Sequence, residues 1–171
     1  MAEQHRRRHK AHLDQHIKDA NGEYHYIGEW YAVSGGWRAL VPFCIWAVIA
    51  AAAVIDAGCV PFDGLRNTWY VIIPYILTVS MVFALGLNGY RLVSGGGRLK
   101  TFEWEKVSER IVPITGFLIA FDLMTGALGL VFLLRHGSEH YIAFYALIFL
   151  AALSAFFAGK AFRKQVWEKT A

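Results

Sequence analysis

Charge is scarce in this sequence. Only 18% of the 171 residues are Asp, Glu, Lys or Arg, against 56% hydrophobic, and the mean hydropathy is +0.37. That balance lies well on the apolar side of a soluble domain. Catalytic signatures are missing too. There is no Walker A loop, no G-x-S-x-G elbow and no paired-cysteine motif, which leaves a catalytic membrane enzyme the weakest class. The long apolar runs hold no histidine, so a bis-histidine membrane haem is disfavoured. Cysteine is reduced to Cys44 and Cys59. On one helix they are separated by roughly 22 Å, too far to bond to each other. Cys59, at the outer edge of its run, could bridge to another chain, although two free thiols is the simpler state. No secretory leader is visible: the first 36 residues are polar and basic, and the first apolar run is too long and too late for a signal h-region.

What the sequence does contain is four apolar runs, at 40–58, 70–92, 111–134 and 141–162. Each approaches the ~20 residues of a transmembrane helix. Lipid offers no partner to backbone polar groups, so such runs are expected to be helical. The expected fold is all-α, a polytopic membrane protein with four transmembrane helices in two hairpins.

Lysine and arginine set the expected orientation. Six lie in the N-terminal arm (Arg6, Arg7, Arg8, Lys10, Lys18 and Arg38). Five lie in the middle loop (Arg91, Arg98, Lys100, Lys106 and Arg110), and four at the C-terminal end (Lys160, Arg163, Lys164 and Lys169). The other two loops hold only Arg66 and Arg135. This asymmetry predicts both termini in the cytoplasm of a plasma-membrane protein. The same residues would anchor anionic lipids at the inner face. No base-reading pattern accompanies them, so nucleic acid is not an expected partner. The organisation is then a basic, His-rich helix and aromatic flap over 1–36, a transmembrane domain over 37–162, and a basic tail over 163–171.

Local signals fill in this outline. Residues 1–20 can form a helix that stops at Asn21-Gly22. Tyr24, Tyr26 and Trp30 alternate with polar residues and predict a short hairpin or flap at headgroup level. Ser34-Gly35-Gly36 reads as a hinge, and Pro74 as a kink in the second span. Thr101 followed by Glu103 and Glu105 reads as a cap opening a helix that runs into the third span. Ser138 is a cap for the fourth. Arg38–Pro42 resembles Arg110–Pro113, and Trp69–Val71 resembles His140–Ile142, with Pro42 to Pro113 and Trp69 to His140 both offset by 71 residues. A tandem repeat of hairpins and chance similarity of apolar segments both account for this.

Asp122 is the candidate functional residue. It lies near the middle of Ile111–Leu134, an otherwise uncharged run, where a carboxylate costs roughly 2.5–3.5 kcal/mol on an insertion scale. At 100° per residue, Thr115, Asp122, Thr125, Gly126 and Gly129 share roughly a 100° arc. On the second span Tyr75, Thr78, Gly86 and Gly89 share about 80°. Small residues allow close helix approach and polar ones bond across the interface. Gly86, Gly89, Gly126 and Gly129 are therefore expected to pack helices, with Thr78, Tyr75 and Thr125 beside Asp122. Two readings stand: a proton- or cation-binding carboxylate, or a protonated acid hydrogen-bonded within the bundle. No basic residue lies at that depth. Asp56, one turn from the outer end of the first span, reads as a helix end that Arg66 or Arg135 could pair.

His5, His9, His12 and His16 are spaced 4, 3, 4 and would share an arc of about 60° on a helix. Such spacing can hold Zn or Ni. The surrounding Arg6, Arg7, Arg8 and Lys10 favour instead a basic helix on anionic lipid. His136–His140 spells H-x-x-E-H, but in a glycine-containing loop rather than the helix that motif needs.

The stretch Gly22–Tyr31, followed by four spans and by Phe102–Arg110 before the third, resembles small uncharacterised four-helix membrane proteins of anaerobic Gram-positive bacteria. The resemblance covers most of the chain and implies a bacterial plasma membrane, with no activity to carry over. The functional expectation is a transporter-like or channel-like protein, oligomeric, using Asp122. The alternative is an accessory subunit docked on a larger membrane complex, and a lesser one is a metal- or pH-responsive sensor.

Overall fold

The computed structural model describes residues 16–18, 23–60, 68–136 and 141–170. Helices α1 (Val41–Cys59), α2 (Trp69–Ser94), α3 (Thr101–His136) and α4 (Tyr141–Arg163) take up the four apolar runs. Each is long and apolar enough to cross a membrane. They close into a ring in which α1 and α3 each pack against both α2 and α4. Nothing in Thr101–Arg110 breaks a helix, so the charged segment and the apolar run form one rod of 36 residues, about 54 Å long. Its first turns extend beyond the hydrocarbon thickness of roughly 30 Å. Pro74 and Pro113 interrupt neither of their helices.

A 3-10 helix (Gly36–Leu40) leads into α1, and five short strands complete the described elements: β1 (His16–Lys18), β2 (Tyr24–Tyr26), β3 (Trp30–Val33), β4 (Arg98–Lys100) and β5 (Trp167–Thr170). β1 pairs antiparallel with β2, His16 opposite Tyr26. His16–Lys18 is therefore extended, not the end of the helix expected over 1–20. Residues 1–15, with His5, His9 and His12, lie outside the described residues, as do Arg66 and Ser138. β3 is the centre of a second sheet, with Trp30 opposite Lys100 of β4 on one edge and Thr170 of β5 on the other. The expected flap and the expected basic tail thus share a sheet. Its three strands precede α1, link α2 to α3 and follow α4, which gathers those segments at one end of the bundle.

Glycine makes the junction possible. Gly97 has φ +80° and is buried, and a Cβ there would come within 3.1 Å of both Trp37 N and Val33 Cγ1. That closeness lets Val33 N–H donate to Gly97 O at 2.9 Å. Thr101 does not cap α3 with its side chain. Its hydroxyl donates to Glu29 O at 2.8 Å, tying the start of α3 to the sheet.

Aromatic rings carry the sheet into the core. Tyr31 stacks on Trp104 at 5.7 Å, and Trp104 lies 4.2 Å from Trp167 and 6.3 Å from Phe162. Phe162 in turn meets the buried Phe43 at 5.7 Å. Trp104→Ala removes the ring common to three of these contacts and should destabilise the fold by about 3 kcal/mol, measured as a lowered thermal or denaturant midpoint in detergent.

Lys169 of β5 pairs with Glu29 across the sheet edge. The hydrogen bond to Glu29 raises the Lys169 pKa above its ordinary 10.5. A raised base stabilises fully below its unfolded pKa and loses that contribution as pH rises through the folded value. Amide protection factors at Trp167–Thr170 should therefore hold steady up to about pH 10 and then fall, a fall absent in Lys169→Gln.

Candidate functional site in the bundle seam

Asp122 lies on a seam with a seven-residue rhythm. On α3, Val107, Ile111, Thr115, Leu118, Asp122, Thr125, Gly129 and Phe132 are all buried. On α4, Phe144, Ile148, Ala151, Ala155, Ala158 and Phe162 repeat the alternating steps of four and three. On α2, Val71, Thr78, Leu85 and Leu92 recur every seven residues. A 3.5-residue period keeps one stripe inward along a left-handed supercoil.

This rhythm puts a polar band inside an apolar bundle. Asp122, Thr78, Thr125 and Ser154 have no exposed surface, and they come from three helices. The Thr78 hydroxyl faces the Asp122 carboxyl, yet the pair falls short of hydrogen-bond geometry, and both carboxyl oxygens lack a partner. Tyr75 lies nearby, but its hydroxyl donates to Val54 O of α1 at 2.8 Å. Thr125 turns back on its own helix, donating to Phe121 O at 2.8 Å. Of the three expected neighbours, Thr78 alone keeps its hydroxyl for the carboxyl. Ser154 Oγ is likewise buried without a partner.

Asn88 went unforeseen. It is buried on α2, its Nδ2 donates to Ala84 O at 2.7 Å, and Oδ1 has no partner. An amide in an apolar run ten residues beyond Thr78 was the available signal.

The glycines divide. A Cβ at Gly89 would touch Phe43 at 3.6 Å, at Gly126 Ile148 at 3.7 Å, and at Gly129 the Tyr145 hydroxyl at 3.0 Å. Gly86 is exposed with nothing within 4 Å, so it does not pack helices within this chain. A straight-helix projection puts it on the inner arc, but the seven-residue period places it one step past Leu85, facing outward. Gly159, not anticipated, is buried against Thr115, whose Oγ1 a Cβ would meet at 2.9 Å.

The hairpin contacts also recur. Tyr75 reaches over Gly58 as Tyr145 reaches over Gly129, and Phe43 lies against Gly89 as Thr115 lies against Gly159. Corresponding residues are 70 to 72 positions apart.

Both cysteines are free thiols. Asp56 is exposed. Among the described residues no group of three His, Cys, Asp or Glu is placed to hold a metal. The histidine arc expected on a helix cannot include His16, which lies in β1.

Fold and seam together define a four-helix bundle of membrane-spanning length with a buried, unpartnered carboxyl. No protein-family model, curated protein or solved structure matches the chain.

Leucine at Gly129 or Gly159 should destabilise the bundle by about 1–3 kcal/mol through overpacking. Gly86→Leu should be neutral or stabilising by up to about 1 kcal/mol through helix propensity. Thermal midpoints of the three purified variants in one detergent check this ranking.

Proposed function

We propose that this chain is a small transporter-like or channel-like protein of the bacterial plasma membrane, both termini cytoplasmic, in which Asp122 takes up and releases a proton or a cation. One observation carries the reading: the Asp122 carboxyl is fully buried and neither oxygen is satisfied. An ionised group in that setting costs several kcal/mol unless a counter-charge compensates it, and intramembrane acids mark ion or proton pathways. Thr78 and Ser154 supply further uncommitted oxygens in the same band. The seam is closely packed around the carboxyl, so we assign the pathway to an oligomer, with Asp122 reached as the seam opens. The recurring tyrosine-over-glycine contacts support the two hairpins as a tandem repeat sharing one orientation.

A second reading, an accessory subunit of a larger membrane complex, draws on a different observation. The three-stranded sheet ends in β4 and β5, and among the described residues neither has a further strand beside it. Open edges accept strands from partners.

Flux assays in liposomes test the first reading. The parent protein should move protons or monovalent cations, and Asp122→Asn should lose at least ten-fold of that flux while keeping the parent's melting temperature. Absence of flux in the parent, or full flux in Asp122→Asn, rejects the reading. Stoichiometric co-purification of one membrane partner, lost when β5 is deleted, would favour the accessory role.

A further inference from the structure

A groove of about 580 Å³ opens between the start of α1 and the end of α4, beside the sheet. Pro42, Trp46 and Phe157 form an apolar wall, with Trp46 and Phe157 stacked at 4.8 Å. Lys160 and Lys164 stand over its sheet end. Both are exposed, and among the described residues no carboxylate pairs with either. Gln165 also lines the groove, its Nε2 donating to Ala39 O at 3.2 Å and its Oε1 buried without a partner. From bottom to top the groove runs from aromatic and aliphatic, at the depth of the spans, to cationic, where the helices leave the apolar zone.

We propose that this groove binds one anionic phospholipid, its phosphate held by Lys160 and Lys164, its acyl chain along Trp46 and Phe157, and a headgroup hydroxyl donating to Gln165 Oε1. Charge complementarity selects the ligand. Two ammonium groups with no carboxylate of their own favour a net-negative headgroup over a zwitterionic one. The apolar wall selects a lipid over a free phosphate, because aromatic rings lining a water-soluble ion would gain nothing from it. The unsatisfied amide oxygen favours a hydroxylated headgroup such as glycerol. Lysine stems lie along apolar surface while their ammonium groups reach the headgroup level. This site does not depend on the role of Asp122.

Tryptophan quenching by spin-labelled lipid tests the assignment on the full chain in nanodiscs. Acyl-labelled phosphatidylglycerol should quench Trp46 at least five-fold more effectively, per mole of label, than acyl-labelled phosphatidylcholine. The signal is isolated as the difference between the parent and Trp46→Phe. Lys160→Gln/Lys164→Gln should bring the ratio close to one, and Arg91→Gln/Arg110→Gln, which removes equal charge elsewhere, should leave it high. Native mass spectrometry of the parent should show one phosphatidylglycerol retained. Three results overturn the proposal: equal quenching by both lipids, loss of preference in Arg91→Gln/Arg110→Gln as large as in the lysine variant, or displacement of the lipid by millimolar glycerol phosphate. The last would make the groove a soluble-phosphate site. Far-UV circular dichroism and elution volume identify any variant that fails to fold, and the single Lys164→Gln, expected to lower the ratio part-way, replaces it.

Discussion

β3 is hydrogen-bonded along both of its edges, and the geometry of one end of the molecule depends on that double pairing. Trp30 faces Lys100 on one side and Thr170 on the other. Those partners come from the link between α2 and α3 and from the chain after α4. Backbone hydrogen bonds with a fixed register cannot slide without losing every bond in the ladder. The sheet therefore sets the starting points of α1 and α3 and the end point of α4. Trp104, wedged between Tyr31, Trp167 and Phe162, carries that constraint into the bundle.

Inside the bundle the governing constraint is a repeat of seven. Alternating steps of four and three, from Ile111 onward on α3 and along α4, hold one stripe of each helix inward over many turns. Alanine predominates on the α4 stripe, with Ala151, Ala155 and Ala158 all buried, which permits close approach to both neighbouring helices. On α3, Asp122 occupies a position of the inward stripe in full register with Leu118 and Thr125. The protein has therefore placed a carboxyl where packing alone would call for an aliphatic residue. Hydrophobic packing gives no reason for that choice, and this is why Asp122, with Thr78 opposite, is the natural centre of a functional reading.

Charge and exposure divide the molecule along its length. The buried carboxyl and its hydroxyl neighbours lie within the apolar spans. Lys160 and Lys164 sit at the sheet end, over a groove whose walls are aromatic. The two proposed sites therefore lie apart along the bundle, the carboxyl inside the seam and the groove at the sheet end. Ser154, in the polar band, and Lys160, at the groove, lie about 9 Å apart along the same helix.

The four apolar runs, their lengths and the place of Asp122 along the third were legible in the sequence because each follows from local composition and a rise of 1.5 Å per residue. The merger of Phe102–Arg110 with the third span was legible for the same reason. Thr78 was found opposite Asp122 because two adjacent antiparallel spans make depth a matter of counting. Other features were decided only by the fold. Gly86 points outward because the supercoil, not a straight helix, sets which face is buried, and supercoiling belongs to packed helices rather than to one helix. Tyr75 and Thr125 spend their hydroxyls on Val54 O and Phe121 O, a choice of rotamer that no spacing encodes. The union of β3, β4 and β5 joins residues more than sixty positions apart, so no local window could show it. Sequence by itself determined which segments are apolar enough to span and where the one central charge falls. Tertiary structure decided which hydroxyls stay free for that charge and which strands lock the end of the bundle, because both depend on contacts between segments that the chain brings together only on folding.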